Sequence, residues 1–381
     1  MSKSDNRSKP SVPYRRIVVK LGTSLLTGGT DHLSEGIMLQ IISQVAKLHR
    51  QGTELTIVSS GAITSGRYKL GLTKKLRGIP FKQVLASVGQ SRLMSVYEKL
   101  FDQHNITVAQ ALLTKADLSD RAGYLNARNT LLALLELKVI CIVNENDVVA
   151  VDEIHEAKFG DNDNLSAMVA NLVDADLLLL LSDVAGLYTA DPYRHPDAQL
   201  VPQVERIDSR IEHLAAGTSD SRGIGGMVTK IEAAKLATAS GITVVIADGR
   251  EPDILLKLVA GEAIGTRFWP FTDRLESRKR WMVSYISAKS RLVVDSGAAG
   301  ALRKQKGSLL PTGIKQVEGN FQRGDVITIY DHKESIIGCG ITNYGANDIR
   351  VIRGAQSKDI ANLLGYDYGA EVVHRNNLVV L

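Results

Sequence analysis

Two sequence patterns alternate along the first 270 residues, and this alternation constrains the fold more than any other feature. Short runs rich in branched apolar residues are typical of buried parallel strands, and the longer stretches between them carry apolar residues at helical spacing. The predicted strands are residues 17–21, 55–59, 106–111, 139–143, 177–181 and 243–247. The predicted helices are residues 35–50, 81–101, 121–137, 163–172 and 228–239. This order predicts an α/β domain, a three-layer αβα sandwich with a mainly parallel central sheet.

The pattern changes after Pro270. Residues 273–280 are charged and offer little apolar material, and beyond residue 290 short strand-like runs alternate with glycine-containing turns. These runs are residues 291–295, 326–330, 336–341, 349–352 and 378–381. The sequence therefore predicts a basic flexible tail (1–15), an α/β domain (16–272), a linker (273–287) and a small β-rich C-terminal domain (288–381). We expect each domain to bury its own core.

Composition excludes several classes of protein. With 381 residues, 44% of them hydrophobic, the chain has enough apolar material for a large buried core, which excludes a wholly disordered chain. No apolar run approaches the roughly 20 residues that cross a bilayer, so we expect a cytoplasmic protein that does not contact a membrane. The first 16 positions hold five basic residues and one acidic residue, so the tail carries most of the net charge of +5. Cys141 and Cys339 predict neither a disulfide nor a zinc cluster.

Polar residues follow the first two predicted strands. Lys20 ends the first strand and precedes the turn Leu21-Gly22-Thr23-Ser24, which places a cation at the sheet edge where parallel sheets bind ligands. The residue order differs from that of the P-loop. Ser59-Ser60-Gly61 ends the second strand, and backbone donors in such a turn can hold a carboxylate or a phosphate. A solvated lysine beside a turn and a serine-capped tight turn are the plainer interpretations.

Two further polar segments follow the strand at 139–143. Residues 144–147 read Asn-Glu-Asn-Asp, and residues 160–164 read Gly-Asp-Asn-Asp-Asn just before a predicted helix. An Asx turn with an N-cap accounts for a single Asp or Asn there. Consecutive polar residues exceed what a cap requires, so we expect these segments to bind a ligand.

A glycine-rich turn precedes the helix predicted at 228–239. The turn reads Gly223-Ile224-Gly225-Gly226-Met227, and Val228-Thr229-Lys230 follows it. Free backbone N–H groups, a hydroxyl and a lysine at a positive helix end suit a nucleoside triphosphate, and a merely mobile loop is the alternative. Ser182-Asp183, at the end of the all-leucine strand, would then lie beside the nucleotide.

In this order along the chain, these segments resemble the amino acid kinase family, and in particular its branch that acts on glutamate. The resemblance covers residues 16–270 and includes Gly186-Leu187-Tyr188-Thr189-Ala190-Asp191-Pro192. Residues 302–307, 308–314 and 319–325 resemble a PUA domain, which longer members of this branch carry at the same position. The resemblance therefore implies an amino acid kinase fold followed by a PUA-like domain.

The resemblance also implies a role for individual residues. Lys20 and Lys230 would contact the transferring phosphoryl group, and Asp163 would orient the two lysines. L-glutamate would bind to Ser60, Asp147 and Asn162. ATP, with Mg²⁺, would bind to Lys20, Ser182, Asp183, Ile224, Gly225, Gly226, Met227, Val228, Thr229 and Lys230. Ser182 stands where the family pattern has threonine.

The residue types agree with the implied reaction, ATP-dependent phosphorylation of the glutamate side chain to L-glutamyl 5-phosphate. A carboxyl group with a pKa near ~4 is already ionised at neutral pH, so the acceptor needs no general base. Two lysines, Mg²⁺ and helix N-termini can neutralise the charge of an anion that attacks a phosphate. By resemblance this is the first step of proline biosynthesis, inhibited by proline, in a homo-oligomeric enzyme.

Two alternatives stay open at this point. One is a kinase of another small acid, and the other is an RNA-binding or RNA-modification protein led by the PUA-like domain. Residues 288–381 carry a net charge of only about +3, a weak electrostatic signal for nucleic acid, although an RNA partner for this domain is retained as a hypothesis.

Overall fold

The computed structural model describes residues 14–72, 78–150, 162–192, 194–217, 226–270, 290–304 and 307–380. Contacts between residues divide the chain into two units. The first unit comprises Met1–Lys115 and Thr130–Thr272, and the second comprises Ala116–Asn129 and Asp273–Leu381. The predicted linker and tail lie outside the described residues, apart from the last residues of the tail. No helix within the described ranges is both long and apolar enough to cross a membrane.

Within the described residues, one eight-stranded sheet forms the centre of the first unit. Its strands are β1 (Arg16–Leu21), β2 (Glu54–Ser59), β3 (Val108–Leu113), β4 (Ile140–Glu145), β5 (Leu177–Ser182), β6 (Gln203–Val204), β7 (Thr243–Asp248) and β8 (Thr266–Phe268). Their order is β3-β4-β2-β1-β5-β7-β8-β6, and the pairs are parallel except for β7 with β8. The predicted mainly parallel sheet is confirmed.

Helices cover both faces of this sheet. In chain order the described helices up to β8 are α1 (Thr23–Thr27), α2 (Glu35–Arg50), α3 (Ala62–Lys69), α4 (Ile79–Asp102), α5 (Lys115–Ser119), α6 (Arg121–Glu136), α7 (Asp163–Leu172), α8 (Ser209–Gly217), α9 (Met227–Ala239) and α10 (Ile254–Val259). Of these, most of α5 and the first part of α6 belong to the second unit. Each of the five predicted helices is present, with ends shifted by two residues at most. The three-layer αβα sandwich is therefore confirmed as well.

Strand β1 places a lysine side chain, Lys20, on one face of the sheet. Ile17, Val19 and Leu21 are fully buried in the core that includes residues of α2 and α4. Because successive side chains of a strand point to opposite faces, Lys20 lies on the other face, where α7 contacts β1. A lysine at the carboxyl end of a central strand is thus enclosed by a helix and needs a partner there.

The second unit contains a five-stranded sheet in the order β10-β9-β11-β12-β13, counted over the residues that the structure describes. These strands are β9 (Arg291–Val294), β10 (Ile314–Glu318), β11 (Val326–Tyr330), β12 (Ile336–Ile341) and β13 (Leu378–Val380), with helices α11 (Ser296–Arg303), α12 (Ala346–Ile352) and α13 (Ile360–Leu364). The small β-rich C-terminal domain is therefore confirmed, and its core is formed around β9, β11 and β12.

The strand predicted at residues 349–352 is wrong, because this segment belongs to helix α12. Ala346, Ile349 and Ile352 are buried at a spacing of three residues, which turns one face of a helix to the core. Strand β10 was missed because only Ile314 and Val317 are buried in it. Its register shifts between Ile314 and Gln316, so the usual alternation is lost.

Residues 116–129 pack within the second unit although they lie between β3 and β4 in the sequence. Leu125 is fully buried against Val326, Ile341 and Val379. The buried guanidinium of Arg128 donates hydrogen bonds of 2.7 Å to the Asn377 side chain and the Asn376 carbonyl. The expectation that each domain buries a core of its own sequence therefore needs revision, while the domain boundaries stay a prediction.

Truncation of the chain after Trp281 should consequently destabilise what remains. Removal of residues 282–381 exposes Leu125 and removes the Asn376 and Asn377 acceptors of the Arg128 guanidinium, and each loss costs about 2 to 3 kcal/mol. We expect the fragment to aggregate, or to unfold at a lower temperature than the full chain, in sedimentation and thermal denaturation. Leu125→Gln should improve the solubility of the fragment. A soluble fragment with unchanged thermal stability would contradict this role of residues 116–129.

Candidate active site

A buried cluster of three charged side chains lies at the carboxyl end of β1. The Lys20 Nζ is 2.8 Å from Asp163 Oδ1, and the Lys230 Nζ is 3.3 Å from Asp163 Oδ2. The Thr229 hydroxyl donates a hydrogen bond of 2.7 Å to the same Oδ2. The structure thus brings together three residues that are 143 and 67 positions apart in the sequence.

Local structure explains why each charged residue points into the cluster. Asp163 is the first residue of α7, and the Ser166 hydroxyl donates to its carbonyl oxygen at 2.5 Å. Thr229 and Lys230 lie in the first turn of α9, after the N-cap residue Gly226. The two helix N-termini add positive partial charge at the same place, which favours anions.

In this cluster two cationic side chains face one carboxylate. Burial by itself would raise the pKa of the Asp163 carboxyl, but the ammonium groups of Lys20 and Lys230 outweigh burial and lower it. Asp163 is therefore an anion that faces two cations. Two ammonium groups at a sheet edge, next to two helix N-termini, favour binding of an anionic group.

A chain of three amide side chains adjoins the charged cluster. The Asn162 amide donates 2.6 Å hydrogen bonds to the Ser59 carbonyl and to the Asn144 side-chain oxygen. The Asn144 amide donates in turn to the side-chain oxygen of Gln90, at 2.7 Å. Asn162 immediately precedes Asp163, so this amide chain runs from the charged cluster to helix α4.

The turn after β2 is held from two sides. The Ser59 Oγ lies 2.8 Å from the hydroxyl of Tyr97 and donates to the Ser60 carbonyl at 3.0 Å. Tyr97 is fully buried, and burial raises the pKa of its hydroxyl, which is therefore neutral. Gly61 has a φ of 100°, a left-handed conformation that favours glycine. This turn therefore presents the buried Ser60 in a fixed position beside the amide chain.

The end of β5 lies next to the lysine cluster. The Gly22 N–H donates to the Leu181 carbonyl at 3.2 Å, and a Cβ at Gly22 would lie 3.6 Å from the Lys20 Nζ. The Ser182 Oγ is buried and has no hydrogen-bond partner among the described residues. Asp183 is exposed, and its carbonyl accepts a 2.9 Å hydrogen bond from Arg250. A buried hydroxyl without a partner beside a lysine suits a polar ligand.

The remaining predicted residues belong to the turn after β4, to the start of α9, or to segments outside the described ranges. Asp147 is half-buried in the turn after β4. Of the predicted nucleotide loop, Met227 is buried and Val228 is exposed at the start of α9, whereas Ile224 and Gly225 lie outside the described residues. No group of three His, Cys, Asp or Glu residues that could hold a metal ion occurs among the residues described.

Sequence reasoning missed two residues of this region, namely Gln90 and Tyr97. A signal for Gln90 is present in the sequence. Ala86, Leu93 and Tyr97 are buried on one face of α4. Gln90 is four residues after Ala86 and three before Leu93, so it lies on the same face as its polar member. A polar residue in an apolar stripe indicates either a core amide with its hydrogen bonds satisfied or a residue of a binding site. The sequence does not decide between the two, because the contact of Gln90 with Asn144 is formed only in the tertiary structure.

Comparison with known proteins gives a consistent result. Residues 15–248 match the amino acid kinase family, and residues 290–364 match the PUA domain. A protein named glutamate 5-kinase from Dehalococcoides mccartyi is 58% identical over 368 residues, which are 97% of this chain and 99% of that relative. Relatives of the same name from Herpetosiphon aurantiacus and Deinococcus radiodurans are 51% and 50% identical over 366 residues, and 98% and 100% of their lengths are covered. The similarity therefore extends over both units.

Proposed function

Because the chain belongs to the amino acid kinase family, in its glutamate 5-kinase branch, we propose that it transfers the γ-phosphoryl group of ATP to the side-chain carboxylate of L-glutamate. The product is L-glutamyl 5-phosphate, the activated acid from which proline biosynthesis starts. The observation that carries this proposal is the buried cluster in which the ammonium groups of Lys20 and Lys230 both face the Asp163 carboxylate.

The geometry suits phosphoryl transfer between two anions. A carboxylate oxygen of glutamate attacks the γ-phosphorus, the bond from that phosphorus to the β–γ bridging oxygen breaks, and ADP leaves with that oxygen. Negative charge grows on the transferred group and on ADP, and the ammonium groups of Lys20 and Lys230 stabilise it. Asp163 holds both ammonium groups in place through charge-assisted contacts, so it positions them and takes up no proton.

The nucleotide site in this proposal lies between the end of β5 and the start of α9. Ser182, with its buried hydroxyl, and Asp183 lie on one side, and Gly226 to Lys230 lie on the other. Ile224 and Gly225 stay predicted contacts. Magnesium is expected to arrive bound to the ATP phosphates, because Mg²⁺ keeps several waters and both Asp163 oxygens already face lysines.

One assay tests the reaction and its nearest alternative. ADP release is measured with L-glutamate, aspartate, N-acetylglutamate and carbamate, and hydroxylamine traps any acyl phosphate. We expect release and trapping with glutamate alone. Turnover that depends on another of these acids would establish the alternative kinase, and no turnover with tight RNA binding would favour the function led by the PUA domain.

Several finer expectations rest on the resemblance and stay predictions. Proline shares its amino and carboxyl groups with glutamate, so we propose that it inhibits by binding where the head group of glutamate binds. A homo-oligomeric state, a cytoplasmic location and an RNA partner for the PUA domain are proposed on the same basis. The PUA domain itself is present at residues 290–364.

Gly22→Ala should impair use of ATP without unfolding the protein. The added methyl group would lie 3.6 Å from the Lys20 Nζ, an ordinary contact, but it would occupy space beside the ammonium group. We expect kcat/KM for ATP to fall on the order of tenfold to a hundredfold, as for a small misplacement of reacting groups. Gly36→Ala, in α2 with nothing within 4 Å of its new Cβ, is the control and should leave turnover intact. Normal ATP kinetics of Gly22→Ala would exclude binding of the ATP phosphates on the Gly22 side of Lys20.

Asn162→Ala should raise the KM for glutamate while the KM for ATP stays close to its original value. The substitution removes the amide that organises Ser59 and Asn144. Because the NH₂ group of Asn162 already donates to these two acceptors, its side-chain oxygen is the group that would accept from the glutamate ammonium. Loss of a hydrogen bond to a charged group costs about 1.5 to 3 kcal/mol, so the KM should rise at least about tenfold. Asp147→Ala should act in the same direction. Asn171→Ala, at an exposed position near the other end of α7, is the matched control. An unchanged glutamate dependence would exclude Asn162 from the substrate site.

A further inference from the structure

The amide chain from Asn162 to Gln90 has a polarity that two backbone groups fix. A backbone carbonyl only accepts, so the contact with the Ser59 carbonyl requires that Asn162 present its NH₂ group there. The same NH₂ group faces Asn144, which must therefore accept with its side-chain oxygen. The Glu145 backbone N–H donates to that oxygen at 2.9 Å, which fixes the orientation of Asn144 a second time.

The polarity carries through to helix α4. Since the Asn144 oxygen faces Asn162 and Glu145, its NH₂ group must face Gln90, which accepts with Oε1 at 2.7 Å. The Gln90 Nε2 is then directed away from Asn144. This nitrogen is buried and finds no acceptor among the described residues. A buried amide donor without an acceptor costs free energy. The Gln90 Nε2 is therefore suited to donate a hydrogen bond to an oxygen of a bound ligand.

The position of this donor indicates which oxygen it takes. The amide chain starts beside Asp163, where the reacting carboxylate must lie, and Gln90 is its far end. We propose that the Gln90 Nε2 donates to the non-reacting carboxylate of the substrate, the one next to the amino group, and so helps to select an α-amino acid. This inference rests on the proposed function, because it takes a dicarboxylate as the acceptor.

Gln90→Glu tests the proposal with little change of shape. The variant keeps one oxygen to accept from Asn144 but replaces the donor by a second acceptor. Kinetics are measured with L-glutamate and with L-isoglutamine, its α-amide, which keeps the reacting carboxylate and can donate a hydrogen bond. We expect the KM for glutamate to rise at least about tenfold with kcat and the KM for ATP nearly constant. The preference for glutamate over isoglutamine should fall at least about thirtyfold.

Gln103→Glu, at the exposed end of the same helix, adds the same charge. It should change neither the KM for glutamate nor the preference for glutamate over isoglutamine. If Gln90→Glu fails a thermal unfolding check, Gln90→Met must show the loss of preference instead. An equal loss with both substrates would overturn the proposal, since Gln90 would then only support Asn144. Failure of the proposed function is seen separately, as absence of glutamate-dependent ADP release by the unmodified protein.

Discussion

Asp163→Asn is expected to lose turnover by about a thousandfold and to lower the free energy of unfolding by about 3 kcal/mol. Asp163 is fully buried between Lys20 and Lys230, so the neutral side chain would remove the carboxylate that faces both ammonium groups. Like charges would then separate, and neither lysine would keep its position for the phosphoryl group. Hydroxylamine trapping measures the turnover, and urea denaturation measures the stability.

The stability difference between the original protein and Asp163→Asn should depend on pH. The fold lowers the pKa of Asp163 to about 2, so the carboxylate stabilises the folded state above the ordinary carboxyl pKa of about 4. That contribution is lost as the pH falls from about 4 toward 2, so the difference should be constant near neutrality and shrink below pH 4. Asp102→Asn, at the exposed end of α4, is the control. A difference that stays constant down to pH 3 would contradict the lowered pKa.

Lys230→Met is expected to lower kcat by about a hundredfold to a thousandfold, equivalent to about 3 to 4 kcal/mol, with a much smaller change in the KM for glutamate. The lysine charge matters most as the phosphoryl group moves, and methionine keeps the length of the side chain without the charge. Lys20→Ala should behave similarly, with an added loss of ATP affinity.

The matched control for Lys230 lies on the same helix. Lys235 is exposed and pairs with Glu212 at 2.6 Å, so Lys235→Met should leave both kinetic parameters nearly unchanged. Equal effects of Lys230→Met on kcat and on the glutamate KM would instead assign Lys230 to ground-state binding. A fall in kcat with both variants would point to a general effect of helix α9.

The order of elements in the first unit could be predicted from the sequence alone. Fully buried parallel strands need continuous apolar runs such as Leu177–Leu181, and helices that cover a sheet need one apolar face, so both leave a local pattern. The same reasoning failed at residues 349–352, where a run of apolar residues fits either a short strand or one face of a helix. Packing against the second unit's core decided for the helix.

Residue types at the strand ends were also visible in the sequence, since Lys20, Asp163 and Lys230 each adjoin a predicted strand or helix end. What the sequence determined is therefore a set of local preferences, which act between residues a few positions apart. Only the tertiary structure decided that one carboxylate faces both lysines, that Gln90 ends an amide chain, and that residues 116–129 pack within the second unit. Contacts across 143 or more positions, such as Lys20 with Asp163 or Arg128 with Asn377, form when strands and helices pack, and no local periodicity encodes them.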